Sequence, residues 1–177
     1  QITDSGLEHL TALANLRELA VGGNKLTDSA LHSFKMLPGL THLDLNGSQR
    51  TDSGLWSAAI TDQGLDTIAS LKQLRSLNLG GTRITDLGLE KLQSLASLEA
   101  LDLSRTQVSA KGLAKLRGLQ KLENLSLWKA RRIGDDAVPY LAAMKSLRWV
   151  DLAETALTPA GLETLKKVKS EELRVKN

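Results

Sequence analysis

His42 and Asp44 stand two residues apart, the spacing at which an extended chain turns both side chains to one face. An imidazole beside a carboxylate is the usual general acid–base arrangement. On one strand, however, their Cα atoms are about 6–7 Å apart, and the pair is better read as surface decoration than as a catalytic dyad. Asp44, Asn78 and Asp102 share one place in a repeating pattern and invite a metal reading. On successive strands Asp44 and Asp102 would lie about 10 Å apart, too far to share one ion at about 2.4 Å. Trp128 and Trp149 offer different chemistry: large rings with Arg105, Lys129 and Arg148 nearby are the materials of a protein-binding hot spot. The chain has no cysteine, which removes disulfide frameworks, thiolate metal sites and cysteine nucleophiles together. His9 and His32 fall on polar positions of different helices, so no Ser-His-Asp set converges. The Gly22-Gly23 and Gly80-Gly81 pairs lack the lysine pattern of a phosphate loop.

What brings such residues together is a repeat. The phrase ITDxGL, or a close variant, opens at Ile2, Leu26, Ile60, Ile84, Val108, Ile133 and Leu157. The interval is 24 residues, except for 34 between Leu26 and Ile60 and 25 between Val108 and Ile133. Counting from each start, positions +0, +5, +8, +11, +14, +17 and +19 are apolar without exception through the first six turns. With 41% apolar residues overall, chance does not keep seven columns clean. The stretch +14 to +19 reads LxxLxL and ends with period two, a short strand with one buried face. The stretch +2 to +11 reads GLxxLxxL, which aligns leucines on one side of a helix. A hydroxyl precedes it at Thr3, Thr27, Thr61, Thr85 and Ser109, where it caps free N–H groups. Asp4, Asp28, Asp62 and Asp86 follow, placed to favour the positive end of the helix. Thr158-Pro159 makes the same start in the last turn.

One strand and one helix cannot bury their apolar faces alone, but stacked turns can. Helices are about 10 Å wide and strands lie about 4.8 Å apart, so the stack curves with its sheet inside. The expected architecture is a right-handed α/β solenoid of about seven β-α turns, with a parallel concave sheet and convex helices. It forms one domain over residues 1–177. Ten extra residues, 50–59, read RTDSGLWSAA. They are expected to project as a loop or an extra helical turn, with Trp56 either exposed or folded back on the neighbouring turn. Residues 169–177 are expected to form a charged cap, with Leu173 and Val175 in a final short strand. The first turn has no cover, so either earlier repeats precede it or this end is exposed and frays.

The pattern LxxLxLxxT joined to ITDxGLxxLxxL resembles the leucine-rich-repeat superfamily over essentially the whole chain. Its subtype is similar to the cysteine-containing, F-box-associated class, although the class cysteine is absent. LSLWKARRIGDDAV is closer to bacterial repeat domains of planctomycetes and other soil bacteria, often parts of larger extracytoplasmic proteins. The resemblance implies a scaffold that binds protein or peptide and names no ligand, while the residues themselves assemble no catalytic, cofactor or metal site, so a non-enzymatic role is expected.

In this register the strand residues facing away from the leucines are the binding candidates: His42, Asp44, Asn78, Asp102, Ser126, Trp128, Trp149 and Asp151, with Arg105 and Lys129 at the rim. Trp128 and Trp149, about 14 Å apart, flank a patch with Ser126 and Asp151; or each ring lies flat and fills a gap. The alternative for the whole chain is a spacer or sensor segment without a ligand of its own, which the glycine-rich N-terminal face favours. A net charge of +3, without a basic stripe interleaved with aromatics, argues against nucleic acid. No apolar run approaches the ~18 residues of a membrane span. The compartment stays open.

Overall fold

A computed structural model describes residues 2–47, 49–51, 54–56, 59–169 and 173–177, with the side chains of 49–51 and 54–56 outside the description. Seven strands form one parallel sheet: β1 (Glu18–Ala20), β2 (His42–Asp44), β5 (Ser76–Asn78), β6 (Ala100–Asp102), β7 (Asn124–Ser126), β8 (Trp149–Asp151) and β9 (Arg174–Lys176), adjacent in that order. The register matches Leu19, Leu43, Leu77, Leu101, Leu125, Val150 and Val175 across the sheet. Each strand is three residues long, but inter-turn bonds continue past it. Leu79 N–H donates to the Asp102 carbonyl, Leu103 N–H to Ser126, and Leu127 N–H to Asp151.

Between strands run α1 (Asp4–Glu8), α2 (Asp28–Leu31), α3 (Leu65–Ile68), α4 (Asp86–Leu92), α5 (Ala110–Leu116), α6 (Val138–Ala143) and α7 (Pro159–Lys169). All but α7 are shorter than the leucine pattern suggests. In the first two turns the helix tightens after one turn into 3-10 geometry, over His9–Ala12 and His32–Met36. The leucine at +11 then packs from a turn rather than from the helix.

The aliphatic columns form one core. From Leu26 to Leu152 every column position is buried. The ends differ: Leu13 is 50% exposed and Val168 is 61% exposed, because each lacks a neighbouring turn on one side. At the C-terminal end Leu173 is buried and β9 pairs with β8, the expected final strand.

In the 50–59 segment the described residues are extended, so of the two expected forms the extra helical turn is not the one seen there. Gln49–Thr51 (β3) and Gly54–Trp56 (β4) pair antiparallel as a two-stranded ladder, Arg50 opposite Leu55. It is a hairpin, not a helical turn, although it repeats the TDSGL phrase that elsewhere opens a helix. Where the Trp56 ring packs lies outside the described residues.

The TDxGL phrase has a second job that local reasoning assigned only to helix capping. The Asp at +2 bonds to the next turn: Asp62 Oδ1 accepts the Thr85 N–H at 2.8 Å and Oδ2 accepts the Thr85 hydroxyl at 2.5 Å. Asp4 does the same with Thr27, Asp28 with Thr61, Asp86 with Ser109 and Asp135 with Thr158. The hydroxyl that donates to this carboxylate still caps its own helix, as Thr85 accepts Leu87 N–H at 3.3 Å. Glycine at +4 leaves room for the carboxylate. A Cβ at Gly88 would come within 2.4 Å of Asp62 Oδ1, and one at Gly112 within 2.3 Å of Asp86 Oδ1. The Thr158 hydroxyl and N–H hold the Asp135 carboxyl below its ordinary pKa. This ladder has a gap between the fifth and sixth turns, where Ala110 replaces the aspartate and Gly134 the hydroxyl.

Candidate functional site

Side chains at +16, +18 and +20 leave the sheet on the face opposite the leucines. They line three shallow depressions that share residues and so form one trough across the strands. The first, of about 400 Å³, lies among Glu18, His42, Asp44, Ser76 and Asn78. The second, of about 290 Å³, lies among Asn78, Asp102, Asn124 and Ser126, with Trp149 as a wall. The third, of about 350 Å³, lies among Asn46, Gly80, Asp102, Ser104 and Arg105, with Trp128 as a wall. Small residues at +20 in the earlier turns, Gly80 and Ser104, leave the space that Trp128 borders. Ser104 and Ser126 hydroxyls meet at 2.8 Å on the trough floor.

The acidic column serves the backbone. Asp44 Oδ1 accepts the Asn46 N–H, Asn78 Oδ1 that of Gly80, Asp102 Oδ1 that of Ser104 and Asp151 Oδ1 that of Ala153, all between 2.7 and 3.0 Å. Each closes an Asx-type turn at the strand end. One side-chain oxygen per residue is therefore committed to structure. Asp151 is only 4% exposed and its other oxygen takes the Lys176 ammonium at 2.8 Å. It stands apart from the trough that collects Asp44, Asn78, Asp102, Ser126 and the tryptophans.

His42 does not pair with Asp44. Its Nδ1 lies 3.0 Å from the Thr41 hydroxyl and 3.8 Å from Glu18 Oε1, both on the exposed rim. Among the described residues no three acidic or histidine side chains are grouped to hold a metal ion.

The two tryptophans differ. Trp149 is half-buried and its ring walls the second depression. Trp128 is held in a charged cluster. The Arg105 guanidinium is 4.4 Å and the Lys129 ammonium 4.5 Å from its ring centroid, both within cation–π range. Its indole N–H donates to Glu154 Oε1 at 3.1 Å, and Lys129 bridges the other Glu154 oxygen at 3.2 Å. The Lys129 hydrogen bond holds the Glu154 carboxyl below its ordinary pKa; partial desolvation opposes this, and Trp128 and the nearby Lys129 and Arg131 charges assist.

Arg105, Lys129 and Glu154 also share a backbone feature. All three have φ of 58° and are the positive-φ non-glycine residues among those described; at the same +21 position Gly23 and Gly81 have φ of 73° and 70°. At Gly23, Gly81, Arg105 and Lys129 the N–H donates to the next turn and the chain then reverses. Gly81 N–H donates to the Ser104 carbonyl and Arg105 N–H to that of Trp128. Glycine does this without strain, whereas a side chain costs roughly 1 kcal/mol or more in the left-handed region. Three consecutive turns accept that cost, and they are the turns that surround Trp128. Sequence reasoning named Arg105 and Lys129 as rim charges but missed Glu154. The signal was there: glycine at +21 in early turns gives way to long charged residues in later ones.

Leucine-rich-repeat family models match residues 54–108, 72–131 and 12–34. Among solved structures the chain is similar to an internalin C2 from Listeria monocytogenes, with a TM-score of 0.67 and 25% identity over 99% of this chain and 65% of that one. It is also similar to an internalin F from the same organism, with a TM-score of 0.56 and 23% identity over 99% of this chain and 49% of that one. The chain thus spans less than two thirds of the length of either. No curated protein matches in a sequence search.

Proposed function

From the premise that the chain is a leucine-rich-repeat protein, a family of usually non-catalytic scaffolds, we propose that it binds a protein or peptide along the sheet-side trough. The observation that carries this is the continuity of the trough from Glu18 and His42 to Trp149 and Trp128, on a face covered by no other described element. Ser76, Asn78, Asp102, Asn124 and Ser126 supply hydrogen-bonding side chains, and the Trp149 ring supplies an anchor at one end. That mixture of polar floor and aromatic anchor suits a protein surface. The subtype reading, nearest the cysteine-containing class and its bacterial relatives, rests on the ITDxGL repeats and the LSLWKARRIGDDAV stretch.

The test uses a purified partner, first identified by capture from host extract. Its affinity is then measured for the wild type, Trp149→Ala, and Leu87→Ala as a helix-side control with an exposed side chain. Trp149→Ala is expected to weaken binding by about tenfold or more, and Leu87→Ala by less than twofold. Equal affinity of the wild type and Trp149→Ala would move the site off this face.

A further inference from the structure

The fifth turn is the one with an extra residue, and that residue has a consequence at the edge of the trough. In neighbouring turns the residue at +23 donates its N–H back to the preceding start. Arg83 bonds the Ile60 carbonyl, Gln107 bonds Ile84, and Ala156 bonds Ile133. Among the described residues the fifth turn has no such rung. Ala130 is buried instead, and Arg131 and Arg132 are pushed outward to exposed positions. They border a notch of about 390 Å³ whose remaining walls are Arg105, Thr106, Gln107 and Lys129. Four cations from two consecutive turns thus surround one small opening.

We propose that this notch receives carboxylates from an acidic segment of the partner protein. This deepens the trough reading and rests on it, because Arg105 lines both the notch and the third depression. A peptide lying in the trough can run directly into it. Neither Arg131 nor Arg132 makes a salt bridge among the described residues, although the Arg131 charge acts on Glu154; the Arg132 guanidinium donates to the Gln107 carbonyl at 3.4 Å. The protein already shows the fit on the other side of the same loop, where Glu154 takes Lys129 and the Trp128 indole. A nucleic acid is a poorer match. The Trp128 ring is already attended by two of the protein's own cations, and base stacking needs an open aromatic face.

The experiment titrates fluorescein-labelled octa-aspartate into the chain at low ionic strength and reads anisotropy, with a single-stranded octa-thymidylate as a second probe. Arg131→Gln/Arg132→Gln is compared with Lys35→Gln/Lys72→Gln, which removes the same charge on the helical side. Octa-aspartate is expected to bind the wild type, about tenfold more weakly to the arginine double variant, and within twofold of wild type to the lysine one. Thermal melts check that both variants fold. No binding of octa-aspartate, equal loss in the two double variants, or tighter binding of octa-thymidylate overturns the proposal. Because the probe needs no trough contacts, its loss says nothing against the trough; that reading fails separately, through Trp149→Ala and the native partner.

Discussion

The stretch Ile60–Gln107 and the stretch Val108–Gly134 have the same architecture and treat it differently. In the first, the turns keep a 24-residue interval, the Asp–Thr ladder runs unbroken, and left-handed positions are filled by Gly81 and then Arg105. In the second, the interval grows by one, the ladder loses both partners at Ala110 and Gly134, and the loop presents Lys129, Arg131 and Arg132. The leucines do not change: Leu113, Leu116, Leu122 and Leu125 are as buried as their counterparts. The contrast separates two tasks. An invariant aliphatic spine holds the turns, and relaxation of the lateral bonds frees one loop to carry charge without disturbing that spine.

The largest effect should come from the spine. Leu101 is buried in the centre of the sheet, and Leu101→Asp places a carboxylate there with no partner. Denaturant unfolding should show a loss of about 4 kcal/mol or more; a variant of unchanged midpoint would contradict the register. The ladder comes next. Asp62→Ala leaves the Thr85 N–H and hydroxyl without their acceptor and should cost about 1–3 kcal/mol. By contrast, Gly134→Thr restores a hydroxyl where Ala110 leaves the preceding turn without an aspartate, and it should not stabilise the chain by more than about 0.5 kcal/mol. Similar magnitudes at both sites would dissolve the distinction between the two regions.

The left-handed positions predict an inverted order. At an ordinary helical surface site such as Lys111, alanine is more stable than glycine. At Arg105 and Lys129 glycine should be the more stable replacement, by about 1 kcal/mol, in paired unfolding curves. The smallest effect is acid dependence. The Asp135 carboxyl has a folded pKa below its unfolded value, so its contribution is present above the unfolded pKa and lost as pH falls through the folded one. The stability difference between wild type and Asp135→Asn should therefore shrink as pH drops below the usual carboxylate range. A difference that stays constant to strong acid would rule out the ionised hydrogen bond to Thr158.

Much of this was legible in the sequence because it is periodic. Leu77, Leu101 and Leu125 announce their own burial by recurring at a fixed offset, and the strands and their order follow. Partners one turn away were harder to read. Asp62 looks like a helix-start charge, and nothing local says that its oxygens belong to Thr85, 23 residues on. The 49–56 hairpin was hidden because its TDSGL phrase imitates a helix start, while pairing of β3 with β4 decides its form. Of the site, the outward columns were legible from alternation alone. Asp151, drawn under Lys176 and its own turn, was not distinguishable from Asp102 without coordinates. Glu154 joined the Trp128 cluster through a chain reversal that only a glycine column hinted at.

The most direct measurement is oxidative footprinting of the chain alone and bound to its partner, read at side chains on opposite surfaces. His42 and Trp149 line the trough, whereas Met36 and Leu87 are 62% and 73% exposed on the helical side. Binding should protect His42 and Trp149 and leave Met36 and Leu87 labelled as before. Protection of Met36 and Leu87 with Trp149 still fully labelled would contradict recognition through the sheet.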